Sequence, residues 1–378
     1  MRRLRTETNP RILTLVPRSH PLSILDMSRR DAMRPFPAAN DGSLVTGHWS
    51  RTLASDKDIE HAVAILKAGG LVAFPTETVY GLGADASRPE AVAKIFAVKG
   101  RPATHPVIVH LADAVQTANW AREIPESGQK LARRFWPGPL TVILKRAPSV
   151  SDVVTGGQDT VALRVPSHPV ALQLLARFGG GIAAPSANRH GHVSATTAAH
   201  VRSEFGGAVD CVLDGGEADV GIESTIVDLS GSQPAILRPG WITPSALEEA
   251  LGVSLGAPDA DAPRAPGTLA KHYAPETTVI LVEFDLLMEL AATLTRVGKR
   301  VAVLAFNERR PVHGDLVWIS VPRDAAAYAH ALYANLRALD ASGCDTIIVE
   351  KPPQTPEWAA IYDRLLRASA GIPTREGP

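Results

Sequence analysis

Helical and strand-like apolar patterns alternate along residues 55–253. A helix is predicted to begin at Ser55, because apolar residues recur at helical spacing over 59–66 and two glycines follow. Short apolar runs predict strands at 71–74, 107–110, 140–145, 160–165, 181–184, 209–213, 224–228 and 235–238. Further helices are predicted at 89–98 and 169–178. This mixture of strands and helices predicts an α/β domain over 55–253.

A proline-rich stretch at 254–277 interrupts this pattern and is interpreted as a linker. Beyond it the alternation is more regular. Strands are predicted at 279–282, 301–306, 316–320 and 347–350, and helices at 285–297, 323–341 and 356–369. Strands that alternate with helices are typical of a parallel, doubly wound sheet. We therefore expect a second, smaller α/β domain over 278–372.

The first 54 residues differ from the rest. They contain nine arginines against four acidic residues and show no sustained periodicity. The apolar core that a secretory signal requires is missing. The favoured interpretation is a flexible extension, or an upstream start codon with Met27 or Met33 as the true beginning. An Arg-rich transit peptide is the alternative.

Composition narrows the class of protein. The 378 residues include 39 Lys and Arg against 39 Asp and Glu, so no charge bias indicates nucleic acid. No uncharged apolar run reaches the roughly 18 residues of a membrane span. The two cysteines, Cys211 and Cys344, do not have the spacing of a zinc site. A reducing cytoplasm is the simplest compartment.

The segment PTETVYGLGADA, residues 75–86, follows a predicted buried strand. Polar groups at such a position are typical of ligand sites in α/β sheets. An ordinary loop, with Gly81 and Gly83 as turn residues, is the alternative. Its polar side chains are Thr76, Glu77, Thr78 and Tyr80.

Two cations follow the predicted helix at 89–98, in the segment KGRPATHPVIVH. Lys99 and Arg101 repel each other unless an anion lies between them, and Arg offers a fork that suits phosphate or carboxylate. We expect both residues to lie on a polar loop. The alternative to an anion site is a basic loop that is simply exposed to solvent. His105 and His110 are interpreted as ligands or as core residues.

Other polar residues recur near predicted strand ends. Arg164 interrupts an apolar strand, so it needs an anionic partner or an exit to solvent. His190 and His192 lack a third metal ligand, and their spacing is interpreted as accidental. Phosphate-loop, GxGxxG and GxSxG motifs are missing. The collected cations and hydroxyls favour binding of a polyanion and a carboxylate, with transfer by positioning and charge neutralisation.

The ordered motifs PTETVYGLG, KGRP, HPVIVH, WPGPLT, TVALRVP, APSAN, GIESTIVDL and ILRPG resemble those of the YrdC-like threonylcarbamoyl-AMP synthase family. The resemblance covers about residues 56–253. The segment APGTLAKHYAP and the following α/β domain resemble the longer, two-domain form of that synthase. The resemblance implies a twisted mixed sheet with a basic cavity, plus the smaller doubly wound domain and a linker that folds over the cavity.

The resemblance also implies an activity. Such nucleotidyltransferases make threonylcarbamoyl-AMP and pyrophosphate from L-threonine, bicarbonate or CO2, and ATP, with Mg2+ expected on the ATP phosphates rather than on a protein metal site. The product serves threonylcarbamoyladenosine formation next to the anticodon of tRNA. The expected partners are downstream tRNA threonylcarbamoyl transferase proteins and, as an open question, tRNA itself, with no membrane.

Site residues carry over by motif position. The implied catalytic set is Lys99, Arg101, Ser186 and Asn188. The implied threonine site is Thr78, His110, Arg164, Ala184 and Ser224. The implied ATP site is Arg101, His105, Thr160, Ser186, Ser194, Arg238 and Tyr273. His105 departs from the Asn that the family often has, and Ala265 replaces a frequent Ser.

Two other functions fit parts of this sequence. A YrdC-like module that holds RNA in its basic cavity without catalysis is one alternative. A carbamoyltransferase is the other, but such proteins carry zinc-finger and further regions that a chain with two cysteines lacks. The complete set Lys99, Arg101, Ser186 and Asn188 favours the synthase.

Overall fold

The computed structural model describes residues 54–306 and 316–370, all of which belong to one compact unit. The expectations for residues 1–53 and 371–372 lie outside the described residues. The first helix begins as predicted: the Ser55 hydroxyl accepts a hydrogen bond from the Asp58 amide at 3.3 Å, and the Asp58 carboxylate accepts one from the Ser55 amide at 2.8 Å. Such a capping box satisfies amides that the first turn leaves unpaired.

A mixed sheet of nine strands dominates the part before the linker, in the order β7-β1-β2-β6-β3-β5-β4-β8-β9. Its helices are α1 Asp56–Lys67, α2 Pro89–Lys99, α3 Glu126–Phe135, α4 Asp152–Thr155, α5 Pro169–Phe178, α6 Ala198–Phe205 and α7 Pro244–Leu251. Its strands are β1 Val72–Phe74, β2 Gly81–Asp85, β3 Ile108–His110, β4 Leu140–Lys145, β5 Thr160–Arg164, β6 Ile182–Ala183, β7 Cys211–Val212, β8 Thr225–Asp228 and β9 Ala235–Arg238. Each strand predicted in this part occurs, with ends shifted by at most two residues.

Strand β2 corrects the interpretation of Gly81 and Gly83 as turn residues. The two glycines lie in an antiparallel pairing with β1 instead. A Cβ on Gly83 would lie 2.7 Å from the Ile182 side chain and 2.8 Å from the Phe74 ring. These glycines therefore make room for Phe74 against the sheet, which local sequence chemistry does not distinguish from a turn.

A parallel sheet of four strands follows the linker, in the order β10-β13-β11-β12. Its elements are β10 Thr278–Val282, α8 Phe284–Arg296, β11 Val301–Ala305, β12 Leu316–Ser320, α9 Ala325–Ala341, β13 Thr346–Glu350 and α10 Ala359–Ser369. Helix α8 packs on Val301 and Val303, whereas α9 and α10 pack on Ala302 and Leu304. Helices therefore cover both faces, which confirms the doubly wound prediction.

The linker, residues 254–277, forms no helix or strand. It nevertheless follows the protein surface closely: the Arg264 amide donates to the Gln158 side chain at 2.6 Å, and the Arg238 guanidinium donates to the Pro266 carbonyl at 2.9 Å. Within 54–306 and 316–370, no helix has the length and apolar character needed to cross a bilayer.

Candidate active site

A cavity lies over one face of the larger sheet. Ile108 and His110 both face it, because alternate residues of a strand share a face. Arg164 of β5 is the register partner of His110 and faces the same space. Pro266, Gly267, His272 and Tyr273 of the linker complete the lining. The cavity thus brings together segments that lie far apart in the sequence.

The cavity gathers most of the site residues predicted from the sequence. Nine of them line it: Thr78, Arg101, His110, Arg164, Ala184, Ser186, Ser224, Arg238 and Tyr273. Five do not: Lys99, His105, Thr160, Asn188 and Ser194.

Arg164 has the anionic partner that its position in an apolar strand requires. Its Nη2 lies 2.6 Å from Glu77 Oε1, and both side chains are only 4% exposed. Its Nη1 donates to the Thr78 hydroxyl at 2.9 Å, and its Nε donates to the Gly138 carbonyl at 3.3 Å. The guanidinium is thus held in one orientation, with Glu77 behind it.

Arg101 is a buried cation with no direct counterion among the described residues. Its Nη2 donates to the Pro106 carbonyl at 2.8 Å, and its Nε is buried with no hydrogen-bond partner in the described parts of the chain. Burial is the main cause that lowers its pKa to about 10, so it remains protonated at neutral pH. A charged donor that faces a cavity in this way is suited to an anionic ligand.

Lys99 does not lie on the polar loop that the sequence predicted for it, and it is not solvated as the alternative required. It is the last residue of α2, it is buried, and its ammonium donates to the carbonyls of Ser186, at 2.6 Å, and Asn188. Burial, and then the nearby Arg101, lowers its pKa well below the ordinary value. Lys99 therefore ties the backbone at 186–188 to α2. The loop prediction was wrong because the ammonium bonds carbonyls that lie distant in the sequence.

Arg238 closes the cavity on the side of β9. Its Nη2 donates to the Ser224 carbonyl at 2.9 Å and to the Ser224 hydroxyl at 3.1 Å. With Arg101 and Arg164, it gives the cavity three guanidinium groups. Glu223 is the acidic residue in the lining. Glu77 is not part of the lining but pairs with Arg164, which is. The cavity is therefore basic, as expected.

The remaining predicted residues are not part of the cavity lining. The His105 ring lies 5.4 Å from that of His190, between ring centroids. Thr160 begins β5 opposite Lys145. The Asn188 amide donates to the carbonyls of Arg189, at 2.7 Å, and His192, at 2.8 Å. The Asn188 side chain therefore stabilises the loop to which it belongs. Lys99 stabilises the same loop through the carbonyls of Ser186 and Asn188.

Glu223 is a cavity residue that the sequence analysis did not select. Its Oε1 accepts a hydrogen bond from the Ser194 hydroxyl at 2.5 Å, and its Oε2 accepts one from Tyr333 at 2.8 Å. Arg364 Nε also donates to Oε2, at 3.0 Å. Burial opposes ionisation, but the charges of Arg364 and Arg238 together with the hydrogen bonds from Ser194 and Tyr333 lower the pKa of Glu223. Glu223 is therefore a fixed anion whose two oxygens are already engaged.

The C-terminal part reaches the cavity wall through these contacts. Tyr333 lies on α9 and Arg364 on α10, while Glu223 precedes β8 of the larger sheet. Tyr273 of the linker stacks on Tyr333 with ring centroids 5.8 Å apart, and the Arg364 guanidinium lies 5.2 Å from the Tyr273 ring centroid. Tyr273 therefore contacts the C-terminal part and lines the cavity at once.

Buried imidazoles should weaken the fold in acid. Burial is the main cause that lowers the pKa of His110 to about 3 and of His272 to about 2. In the unfolded chain, imidazoles titrate at about pH 6.5. Below that pH the unfolded chain therefore binds protons that His110 and His272 do not bind in the folded state. We expect the free energy of unfolding to fall as the pH drops from about 6.5 to about 4. Denaturant titrations of wild type and His110→Gln test this, and a decline equally steep in both would contradict it.

The described residues include no cluster of three or more His, Cys, Asp or Glu that would hold a metal ion. His192 Nδ1 lies 3.3 Å from the Glu204 carboxylate.

Comparisons with known proteins agree with the geometry. The Sua5/YciO/YrdC family model, described as telomere recombination, matches residues 64–240. A second model, described as the threonylcarbamoyl-AMP synthase C-terminal domain, matches residues 242–370. The threonylcarbamoyl-AMP synthase of Pyrococcus abyssi is 41% identical over 82% of this chain and 94% of its own length. That of Bacillus subtilis is 40% identical over 84% of this chain and 94% of its own length.

A solved structure gives the same result. The crystal structure of Pyrococcus abyssi Sua5 complexed with L-threonine superposes with a TM-score of 0.77 at 40% identity. The match covers 82% of this chain and 94% of the Pyrococcus chain. Both the mixed sheet and the C-terminal sheet therefore have a counterpart in a known protein.

Proposed function

The chain belongs to the threonylcarbamoyl-AMP synthase family, and we propose that the cavity over its larger sheet holds ATP and L-threonine together. The chain is an enzyme that forms threonylcarbamoyl-AMP. Bicarbonate or CO2 is the proposed third substrate, and pyrophosphate the second product. The reaction is then a nucleotidyl transfer, and its product serves tRNA modification through downstream transferase proteins in the cytoplasm.

The main support for the proposal is that one cavity contains two different cations. Arg164 has an ion-pair partner, whereas Arg101 has none in the described ranges. Arg164 is compensated by Glu77 and offers directed hydrogen bonds beside Thr78, which suits a small amino-acid carboxylate. Arg101 has no ion-pair partner within the described ranges, which suits the heavier charge of a triphosphate. We therefore propose that threonine binds near Arg164 and that the ATP phosphates bind near Arg101.

The chemistry follows from that placement. The neutral amine of threonine attacks the carbon of CO2, one C–O π bond opens, and the nitrogen gives one proton to solvent water, which yields a carbamate. A carbamate oxygen then attacks the α-phosphorus of ATP, the bond to the β-phosphate oxygen breaks, and pyrophosphate leaves. The two reactants are anions, so the guanidinium groups of Arg101 and Arg238 offset their repulsion. The neutral His110 adds no competing charge.

The donor set fits a metal ion that arrives with the nucleotide. Glu223 is the carboxylate in the lining, and its oxygens are already bonded by Ser194, Tyr333 and Arg364. A complete protein shell of six oxygens is therefore lacking, which suits Mg2+ held by substrate phosphates and water. Bound there, Mg2+ would neutralise phosphate charge.

Omission of single substrates tests the function. We expect pyrophosphate release from ATP only when L-threonine, bicarbonate and Mg2+ are all present. Equal release without threonine would overturn the proposal. The same experiment separates the synthase from an RNA-binding module, which would release no pyrophosphate in any mixture.

The linker is proposed to shield the labile adenylate. Pro266, Gly267, His272 and Tyr273 already line the cavity, so the linker lies where a lid must close. We expect Tyr273→Ala, and truncation after Val253, to slow product formation. We also expect ATP plus threonine to protect 254–277 from limited proteolysis. Unchanged cleavage together with normal turnover of both variants would show that the linker is only a spacer.

A further inference from the structure

In the cavity wall at the proposed threonine site, the hydroxyl groups of Thr76 and Thr78 form a hydrogen-bonded chain with a defined direction. The Thr76 hydroxyl donates to the Val79 carbonyl at 2.6 Å. A carbonyl only accepts, and a hydroxyl has one hydrogen, so the proton of Thr76 is committed to that bond. The hydroxyls of Thr76 and Thr78 lie 2.8 Å apart. The Thr76 oxygen also accepts from the amides of Thr78 and Val79, at the longer distance of 3.2 Å each. With the Thr76 hydrogen committed, the 2.8 Å contact is a hydrogen bond only if Thr78 donates its own hydrogen to Thr76.

The direction continues from Thr78 to Arg164. A guanidinium only donates, so Arg164 Nη1 uses one lone pair of the Thr78 oxygen at 2.9 Å. Thr78 is left with no hydrogen to give and one lone pair. Since Thr78 lines the cavity, it presents an acceptor there, directly beside a donor. Glu77 maintains this arrangement: it accepts from Arg164 Nη2 at 2.6 Å and from the Ser167 amide at 2.9 Å.

We propose that Thr76 and Glu77 are positioning residues that fix the polarity of this donor–acceptor pair for an α-amino acid. Arg164 donates to the substrate carboxylate, and Thr78 accepts from the neighbouring amine N–H. In an α-amino acid, the amine is bonded to the carbon next to the carboxylate carbon. The two groups can therefore reach Arg164 and Thr78, which are adjacent in the cavity wall. The inference rests on the proposed function.

This polarity also suits the reaction. A neutral amine that donates one N–H to Thr78 keeps its lone pair free to attack CO2. The carbamate nitrogen retains one hydrogen, so the same contact persists after carboxylation. A Thr78 hydroxyl free to donate would instead compete for the amine lone pair.

A cycle of variants and ligands tests the inference. The variants are Thr76→Val, which removes the acceptor for the Thr78 proton, and Thr76→Ser, which retains it. The ligands are L-threonine and (R)-3-hydroxybutyrate, which keeps the carboxylate and hydroxyl but lacks the amine. Dissociation constants come from NMR titration, since the analogue is expected to bind weakly. Thermal melting of each variant controls for folding.

We expect Thr76→Val to weaken L-threonine binding about tenfold, the scale of one charge-assisted hydrogen bond. Thr76→Ser should remain within about twofold of wild type, and 3-hydroxybutyrate should bind both variants as it binds wild type. The KM for ATP should not change. Equal weakening of both ligands, or unchanged threonine binding by Thr76→Val, would overturn the inference. If Thr76→Val fails to fold, Thr78→Val carries the same test, because it removes the acceptor itself.

The outcome is separable from that of the proposed function. Wild-type protein that binds L-threonine but releases no pyrophosphate would refute the function and leave the binding inference standing. Wild-type protein that turns over normally, with Thr76→Val unaffected in threonine binding, would refute the inference alone.

Discussion

Arg101→Ala is expected to reduce pyrophosphate release about tenfold to a hundredfold at saturating substrates. The guanidinium is a buried, protonated donor without an ion-pair partner in the described parts of the chain, and it lines the cavity. Loss of one charge-assisted contact in a closed site is worth about 1.5–3 kcal/mol, which corresponds to that range of rates. Steady-state kinetics with ATP and threonine varied in turn measures the loss.

Arg88→Ala is the matched control for this variant. Arg88 precedes the same helix, α2, but its side chain is 39% exposed and pairs with the exposed Glu90. Its removal should leave turnover within about twofold, because exposed ion pairs contribute little. Thermal melting of both variants separates loss of chemistry from loss of folding. Near wild-type turnover of a folded Arg101→Ala protein would show that Arg101 does not contact the phosphates.

Arg364→Ala is expected to lower the free energy of unfolding by about 3–5 kcal/mol, because it leaves a buried carboxylate without its partner. The side chains of Arg364 and Glu223 are 0% and 7% exposed, and their atoms lie 3.0 Å apart. Turnover should also fall, since Glu223 and Tyr273 both line the cavity. Denaturant unfolding measures the stability, and product formation measures the turnover.

Lys351→Ala controls for the general effect of removing a cation from the C-terminal part. Lys351 pairs with Glu283 at 2.8 Å, with side chains 30% and 62% exposed. We expect a change in unfolding free energy below about 1 kcal/mol. If Arg364→Ala were no more destabilising than Lys351→Ala, the buried network would not join the C-terminal part to the cavity.

The sequence identified the strands because apolar runs bounded by turn residues carry a local signal. It also identified the cavity residues that lie within recognisable motifs, such as Arg164 and Arg238. It failed at β2, because the glycines there serve packing against Phe74 rather than a turn. Short-range patterns carry no information about that distant ring.

Contacts between distant segments account for the other differences. Lys99 looked solvated because its partners, the carbonyls of Ser186 and Asn188, lie 87 and 89 residues away. Glu223 lay within a recognised motif, but its partner Arg364 lies 141 residues away. The role of a buried charged residue can be assigned only when the residue that pairs with it is known. Lys99→Ala should consequently destabilise the fold as well as reduce turnover.

Incorporation of labelled carbon into the nucleotide product tests the central claim most directly. The protein is incubated with ATP, L-threonine, Mg2+ and 13C-bicarbonate, and the nucleotides are analysed at once by mass spectrometry. The account predicts an adduct with the mass of threonylcarbamoyl-AMP, heavier by one neutron than the product from unlabelled bicarbonate and missing when threonine is omitted. Pyrophosphate release without a labelled adduct, or an adduct that carries no label, would contradict it.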